Sequence, residues 1–313
     1  SNVAERIDRG IMKKHIGDEM YSTVTRLQKY SACRYSYFLA YVLSLRERQI
    51  SDLRSVDVGS IAHGLIEKIC RNMDAENIGF DSVPDGYFKN VIDAAVDECI
   101  ENIGKTAADL TKRQLYAVQR LKNVLLKCFE MIRRQFTESK FEPIGYEIVF
   151  SDENIGCIEI GLPNGEKLKL TGKIDRADAY DAADGRYIRI IDYKTGHKMF
   201  NLNDAVYGID IQLPVYLDAL VGISEKNKYG GAFFFTLDDF MLDADHDVPD
   251  EKIAEKRDTA MKLKGIIIDR KDVLDAFEKS AVAHNSGKTS DEQFRTLGKY
   301  LKKTIADTWV SLS

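Results

Sequence analysis

Two short strings hold the residues best suited to chemistry: Gly172-Lys173-Ile174-Asp175-Arg176 and Ile191-Asp192-Tyr193-Lys194-Thr195-Gly196. Both lie in β-rich stretches, and the turn-like run Asp181 to Gly185 separates them, so together they predict a hairpin. With the turn centred near Ala183 and Asp184, Tyr180 faces Arg186 or Tyr187; counting back from the second pairing sets Asp175 opposite Asp192. Two carboxylates facing each other across a ladder are destabilising. At about 5 Å and an effective dielectric near 20, their repulsion is on the order of 3 kcal/mol. A divalent cation offsets it most directly, and oxygen ligands of this kind suit Mg²⁺ or Mn²⁺.

Lys194 follows Asp192 by two residues, which on a strand puts both side chains on one face. An ammonium beside a carboxylate-held cation can hold or deprotonate a water and stabilise charge on a phosphate. Two further pairs fit such a site. Gly59 and His63 stand one helical turn apart, where a small residue lets the backbone approach a sheet. Gln212 and Tyr216 are likewise one turn apart and could contact a phosphate or the attacking water. The ordinary alternatives are an Asp–Lys surface pair, a structural histidine, a core tyrosine and a surface glutamine.

The elements that must position these groups change character along the chain. Helical spacing marks segment 22–43, a second helix after Asp57 with Ile61, Leu65, Ile66 and Ile69 on one face, and two more over 87–103 and 108–138. Residues 144–150, 155–162, 166–180 and 186–194 then read as an antiparallel meander. A helix over 204–221, a buried strand over 230–237 and helix over 250–312 complete the order. The expected class is α/β (α+β), with a mixed core set in a helical shell. No glycine-rich phosphate loop is present.

The 313 residues, 44% hydrophobic, suffice for a sizeable core, and no apolar run approaches a membrane span. The net charge of −5 runs against a nucleic-acid binder, although a local basic groove can sit on an acidic domain. The cysteines Cys33, Cys70, Cys99, Cys128 and Cys157 are odd in number and never close in sequence, which disfavours zinc fingers and disulfides and fits the cytoplasm. Cys70, Cys99 and Cys128 are expected to be inert core thiols.

Taken in order, G-x-x-x-H, G-x-I-D-R, D-Y-K-T-G and Q-x-x-x-Y resemble the PD-(D/E)xK nuclease superfamily, in its RecB-like branch. Residues 21–30, Cys33 to Leu39 and Leu43 to Arg48 are similar to the start of the C-terminal nuclease domain in the AddB family of bacterial helicase-nuclease subunits. The resemblance implies a restriction-endonuclease-like core of antiparallel meander, helix and strand. It divides the chain into an N-terminal segment 1–57, a helical region 58–140, a nuclease core 141–240 and a C-terminal helical region 241–313 cut short before a Cys-rich tail.

Carried across residue by residue, it implies that His63, Asp175 and Asp192, with the carbonyl of Tyr193, bind Mg²⁺ or Mn²⁺. Lys194 is the implied catalytic lysine, Gln212 and Tyr216 support it, and Glu147 matches an acidic position before the meander. The implied reaction is hydrolysis of single-stranded DNA to 5′-phosphate and 3′-hydroxyl ends, in double-strand break repair alongside an AddA-type helicase-nuclease subunit. Cys33 matches one ligand of the family's 4Fe-4S cluster; no cysteine follows Cys157, so no cluster is expected in this fragment, and Arg34 replaces a frequent proline. A catalytically inactive DNA-binding or scaffolding module and a small-molecule phosphohydrolase are the competing readings. Finally, Arg26, Lys29, Arg34, Arg46 and Arg48 interleave with tyrosines and Phe38; single-strand tracking is one reading, but helical spacing favours core aromatics.

Overall fold

The computed structural model describes residues 19–45, 55–102, 104, 106–162, 165–195, 198, 200–237 and 263–277. In chain order the elements are β1 (Glu19–Thr23), α1 (Val24–Ala32), α2 (Arg34–Tyr37) running into a π-turn (Phe38–Val42), α3 (Ser55–Ala75), α4 (Tyr87–Asn102) and α5 (Lys112–Thr137). Then come β2 (Glu142–Phe150), β3 (Ile158–Gly161), β4 (Lys167–Ala182) and β5 (Gly185–Lys194). They are followed by α6 (Leu202–Val206), α7 (Gln212–Val221), β6 (Asn227–Thr236), β7 (Lys264–Ile267) and α8 (Lys271–Phe277). The α/β class and the four-strand meander stand as the sequence predicts. None of the described helices is long and apolar enough to cross a membrane.

The described residues fall into two compact units, and β4 belongs to both along its length. The first unit draws on 1–47, 149–173 and 201–223. In it β1 runs parallel to the start of β4, Glu19 opposite Lys167, and β3 antiparallel to the same stretch, Ile158 opposite Leu170. The sequence predicts one helix over 22–43. Instead Ser22 and Thr23 close a strand, Thr23 caps α1 through Oγ1, which accepts from Arg26 N–H at 3.2 Å, and the helix stops at Cys33. Cys33 is extended (φ −160°, ψ 106°), and its Sγ accepts from the Ser36 amide at 3.4 Å, capping α2. A residue that caps one helix cannot continue the previous one, so the helical spacing hides a break.

The second unit draws on 48–148, 174–200 and 224–313. Its core is one cluster in which Ile66, Ile69 and Cys70 of α3, Ile92 of α4, and Leu125, Cys128 and Phe129 of α5 cover Tyr187, Ile191 and Tyr193 of β5 and Phe233 and Phe235 of β6. These strand residues alternate, so the opposite face of the same strands is left for other work. A capping box starts α5, Thr111 and Gln114 bonding reciprocally. β4 and β5 are antiparallel, whereas β6 lies parallel to β5, which the helical crossover between them requires. The β5–β6 register shifts between Ile188 and Arg189, and a Cβ at Gly230 would sit 2.7 Å from the Ile188 carbonyl oxygen, so the irregularity needs glycine there.

One element differs in kind from the expectation. Within the stretch 250–312 read as helix, Lys264–Ile267 is a strand, antiparallel to β6 with Phe233 opposite Gly265. The β-branched run Ile266-Ile267-Ile268 favours a pleated, buried surface over a helix. The helix predicted beyond it is described only at α8; Arg46, Arg48, Pro163, Asn164, Gly196 and most of the C-terminal region lie outside the described residues.

Candidate active site

β4 and β5 part at a two-residue turn, Ala183-Asp184, with Ala182 opposite Gly185, Tyr180 opposite Tyr187 and Arg176 opposite Ile191. One further step along that register sets Asp175 across from Asp192, so both carboxylates rise from the same face. They are nearly out of solvent, at 7% and 3% exposure. The Tyr193 amide donates to Asp175 Oδ2 at 2.7 Å, which fixes that carboxylate against the neighbouring strand. Lys194, half-buried on the face of Asp192, brings Nζ to 2.6 Å from Asp192 Oδ2.

From α3, His63 places Nδ1 3.4 Å from Asp175 Oδ2, and its ring stands edge-on to that of Tyr193 at 5.7 Å. Gly59, one turn earlier, makes this approach possible: a Cβ there would lie 2.8 Å from Thr195 Oγ1, on the residue next to Lys194. Gly59→Val is therefore expected to destabilise the protein by about 1–3 kcal/mol through overpacking. Thermal unfolding measures it; a variant melting with the parent would show that Thr195 yields freely.

Glu147 of β2 supplies a third carboxylate. It is buried at 9% exposure and adopts φ +50°, a conformation that costs a non-glycine residue about 1 kcal/mol or more and persists where the surroundings impose it. One ligand atom each from His63, Glu147 and Asp175 lie within 4.8 Å of one another, the one such group of His, Cys, Asp or Glu among the described residues.

The electrostatics match this crowding. Burial, then the charge of Asp175, push the Asp192 carboxyl up to about 7, although Lys194 and His63 draw it down. Burial pulls His63 downward, but its hydrogen bond to Asp175 and the charges of Asp175, Asp192 and Glu147 outweigh that and leave it raised. Buried acids held back from ionising, beside an imidazole, fit a hard divalent cation better than zinc of the thiolate type. An iron–sulfur cluster does not fit the thiols of this chain. Cys33 is exposed, Cys70 and Cys128 are buried, and the metal-ligand group among the described residues contains no cysteine.

A sequence model of the PD-(D/E)XK nuclease superfamily matches residues 21–310. The chain belongs to that superfamily. It is similar to proteins named as the B subunit of an ATP-dependent helicase/deoxyribonuclease. The one from Caldanaerobacter subterraneus subsp. tengcongensis is 32% identical over 96% of this chain and 28% of its own length. That of Clostridium acetobutylicum is 35% identical over 88% and 24% respectively, and that of Clostridium tetani 30% over 98% and 29%. The chain thus spans well under a third of the length of these curated relatives.

Against the superfamily's residues, the structure brings His63, Glu147, Asp175, Asp192 and Lys194 into one unit. Gln212, Tyr216 and Cys33 belong to the other. There Gln212 opens α7 and Tyr216 is buried one turn later, its ring edge-on to Phe150 at 5.2 Å. Tyr216 also fills the space beside Gly172, where a Cβ would lie 2.8 Å from its Cε1.

The sequence reading missed a second lysine. Thr236 pairs with Lys194 across β5 and β6, Phe234 pairs with Lys264 across β6 and β7, and the buried Lys264 Nζ donates to Thr236 Oγ1 at 3.0 Å. Lys194 and Lys198 both lie over the Phe234 ring, at 5.6 and 5.5 Å from its centroid. The signal that could have found Lys264 is the isoleucine run that makes its segment a strand.

Proposed function

We propose that this chain is a divalent-metal-dependent deoxyribonuclease domain acting on single-stranded DNA. The observation that carries the reading is the hairpin register, which sets Asp175 opposite Asp192 with Lys194 on the same face. His63, Glu147, Asp175, Asp192 and the Tyr193 carbonyl would hold Mg²⁺ or Mn²⁺. Bound there, such an ion would polarise the phosphodiester and lower the pKa of water. The Lys194 ammonium would orient the attacking water and stabilise charge on the phosphate. His63, tied to Asp175, would keep that carboxylate aimed at the ion. Gln212 and Tyr216 would support the site. Water attack at phosphorus with departure of the 3′ oxygen leaves a 5′-phosphate and a 3′-hydroxyl.

The names of the relatives support placing the domain in a cytoplasmic helicase-nuclease that works with an AddA-type subunit during break repair. An exonucleolytic role is part of the same proposal. Retention of both facing acids and the lysine favours an active enzyme over a scaffolding module.

Labelled single-stranded and duplex DNA, incubated with Mg²⁺ or Mn²⁺, test the reading. Asp192→Ala and Lys194→Ala are each expected to slow cleavage of the single strand by about 100-fold or more. Cleavage by these variants at the parental rate would remove the site assignment.

A further inference from the structure

The segment after β1 carries charge of one sign. Residues 20–45 include Arg26, Lys29 and Arg34 and no Asp or Glu, in a chain whose net charge is −5. Helical spacing predicts that its aromatics are core, and the structure reverses that expectation. In α1 only Val24 is buried, and α2 and the π-turn bury nothing. Tyr30 is 45% exposed and Tyr35 71%.

These rings are held rather than loose. Arg34 lies over the Tyr30 ring at 5.5 Å, Tyr30 meets Tyr37 edge-on at 5.3 Å, and Arg26 lies over Tyr41 at 4.7 Å. Fixing an aromatic in place lowers the ordering cost of anything that stacks on it. A distant part of the same unit adds to the surface. Tyr207, 76% exposed, precedes Gly208, which has φ +76° and where a Cβ would meet Ser31 Oγ at 2.9 Å. The nearby acid Asp210 is buried and accepts from Gln28 Nε2 at 3.4 Å, so it does not cancel the positive face.

Exposed tyrosines among cations of one sign suit an anion that also offers flat aromatic faces. A duplex keeps its base faces stacked inside; a single strand offers phosphates and bases together. We propose that Tyr30, Tyr35 and Tyr207, with Lys29 and Arg34, form a docking surface for single-stranded DNA. Bases stack on the tyrosines and the two cations take phosphates. The inference rests on the single-strand reading of the substrate and assigns it a binding surface of its own.

Fluorescence anisotropy of labelled oligothymidylate in EDTA, where metal-dependent cleavage is silent, tests the surface separately from the chemistry. The Tyr35→Ala, Tyr207→Ala double variant is expected to bind about tenfold more weakly or worse, whereas Tyr35→Phe, which keeps the ring, binds like the parent. An abasic strand of equal length is expected to bind the parent about as weakly as the double variant binds oligothymidylate. Both tyrosines are largely in solvent, so the variants should melt with the parent, which a thermal scan checks. With Mn²⁺ added, the double variant is expected to raise KM and leave kcat unchanged.

Parental affinity in the double variant, no preference for bases over abasic strand, tighter binding of duplex, or no binding by the parent would each overturn the surface. Tyrosine-dependent binding without cleavage by any preparation would leave the surface standing and remove the nuclease reading. Cleavage by a protein whose tyrosine variants bind normally would do the reverse.

Discussion

Asp192→Asn is expected to abolish cleavage and yet raise the melting temperature of the metal-free protein near pH 8. The two effects share a cause. Asp192 is buried, faces Asp175 across the hairpin, and is pushed up to about 7 by that burial and that neighbour. Its folded value lies above its ordinary one, so the folded state binds the proton more tightly. Stability therefore falls as pH rises from about 4 through about 7, instead of rising as it does for a salt-bridged acid. The gap between 3.8 and about 7 corresponds to at most on the order of 4 kcal/mol, part of which Lys194 returns. His63 acts in the same direction: raised by its acidic neighbours, it contributes stability that is complete below its unfolded value and lost as pH passes its folded one.

Asparagine keeps the side-chain shape and removes the charge, and a gain of about 1–2 kcal/mol would appear as several degrees in a protein of this size. A cation of the proposed kind should act oppositely on the parent, with a Mn²⁺-induced rise in melting temperature larger near pH 8 than near pH 6, because fewer protons must be displaced. Thermal scans of parent and variant in EDTA and in Mn²⁺ at both pH values decide it. An asparagine variant that melts below the parent near pH 8 without metal would mean that the Asp192 charge is not a burden, and the electrostatic case for a cation would go with it.

Much of this site is legible in the sequence because a tight hairpin leaves little freedom. Once Ala183 and Asp184 are recognised as the turn, the period of two fixes which side chains share a face, and Asp175, Asp192 and Lys194 follow. Gly59 and His63 are legible for a similar reason, since helical spacing puts them on one row and a missing side chain marks a close approach. Glu147 is less so, because its contribution depends on a left-handed backbone that its own type does not announce.

What the sequence hides is set by partners far away in the chain. β1 is a strand because it lies against the start of β4, and Lys264 joins the face of Lys194 only through two ladders. The aromatics after Thr23 follow a helical period over a stretch that Cys33 in fact interrupts, so periodicity assigns them to a core they do not enter. Arg176 reads as a motif position next to Asp175, with no sign that it is fully buried.

That buried arginine carries the second large effect. On the face of β4 and β5 opposite the acids, Asp178 accepts from Arg176 Nε at 2.9 Å and Nη2 at 2.8 Å, and from Arg189 Nε at 2.7 Å, all three residues being essentially without solvent contact. Gln135 accepts from Arg176 at 3.2 Å, and Ser139 Oγ from Arg189 at 3.3 Å. Phe136 lies under the Arg176 guanidinium at 4.4 Å and Phe141 under that of Arg189 at 4.6 Å. One carboxylate thus serves two cations. Burial would raise Asp178, but the two arginines hold it below its ordinary value; burial, against the pull of Asp178 and with the repulsion of Arg176, brings Arg189 down to about 10.

Asp178→Asn leaves two guanidiniums in the core with no anion, and the expected loss is about 3–5 kcal/mol, read as a fall in the midpoint of urea unfolding. Adding Arg189→Met to that variant removes one of the stranded charges and is expected to restore part of the loss, because an apolar side chain is cheaper in that position than an uncompensated cation. The pH sign is the ordinary one here: with Asp178 lowered, its contribution is present above the unfolded value near 3.8 and disappears as pH falls through the folded one. Arg176 and Asp178 flank the strand positions next to Asp175, so losing their anchor should loosen the hairpin and weaken Mn²⁺ binding as well. A double variant no more stable than Asp178→Asn alone would mean that the carboxylate's hydrogen bonds, and not the balance of buried charge, hold these two strands together.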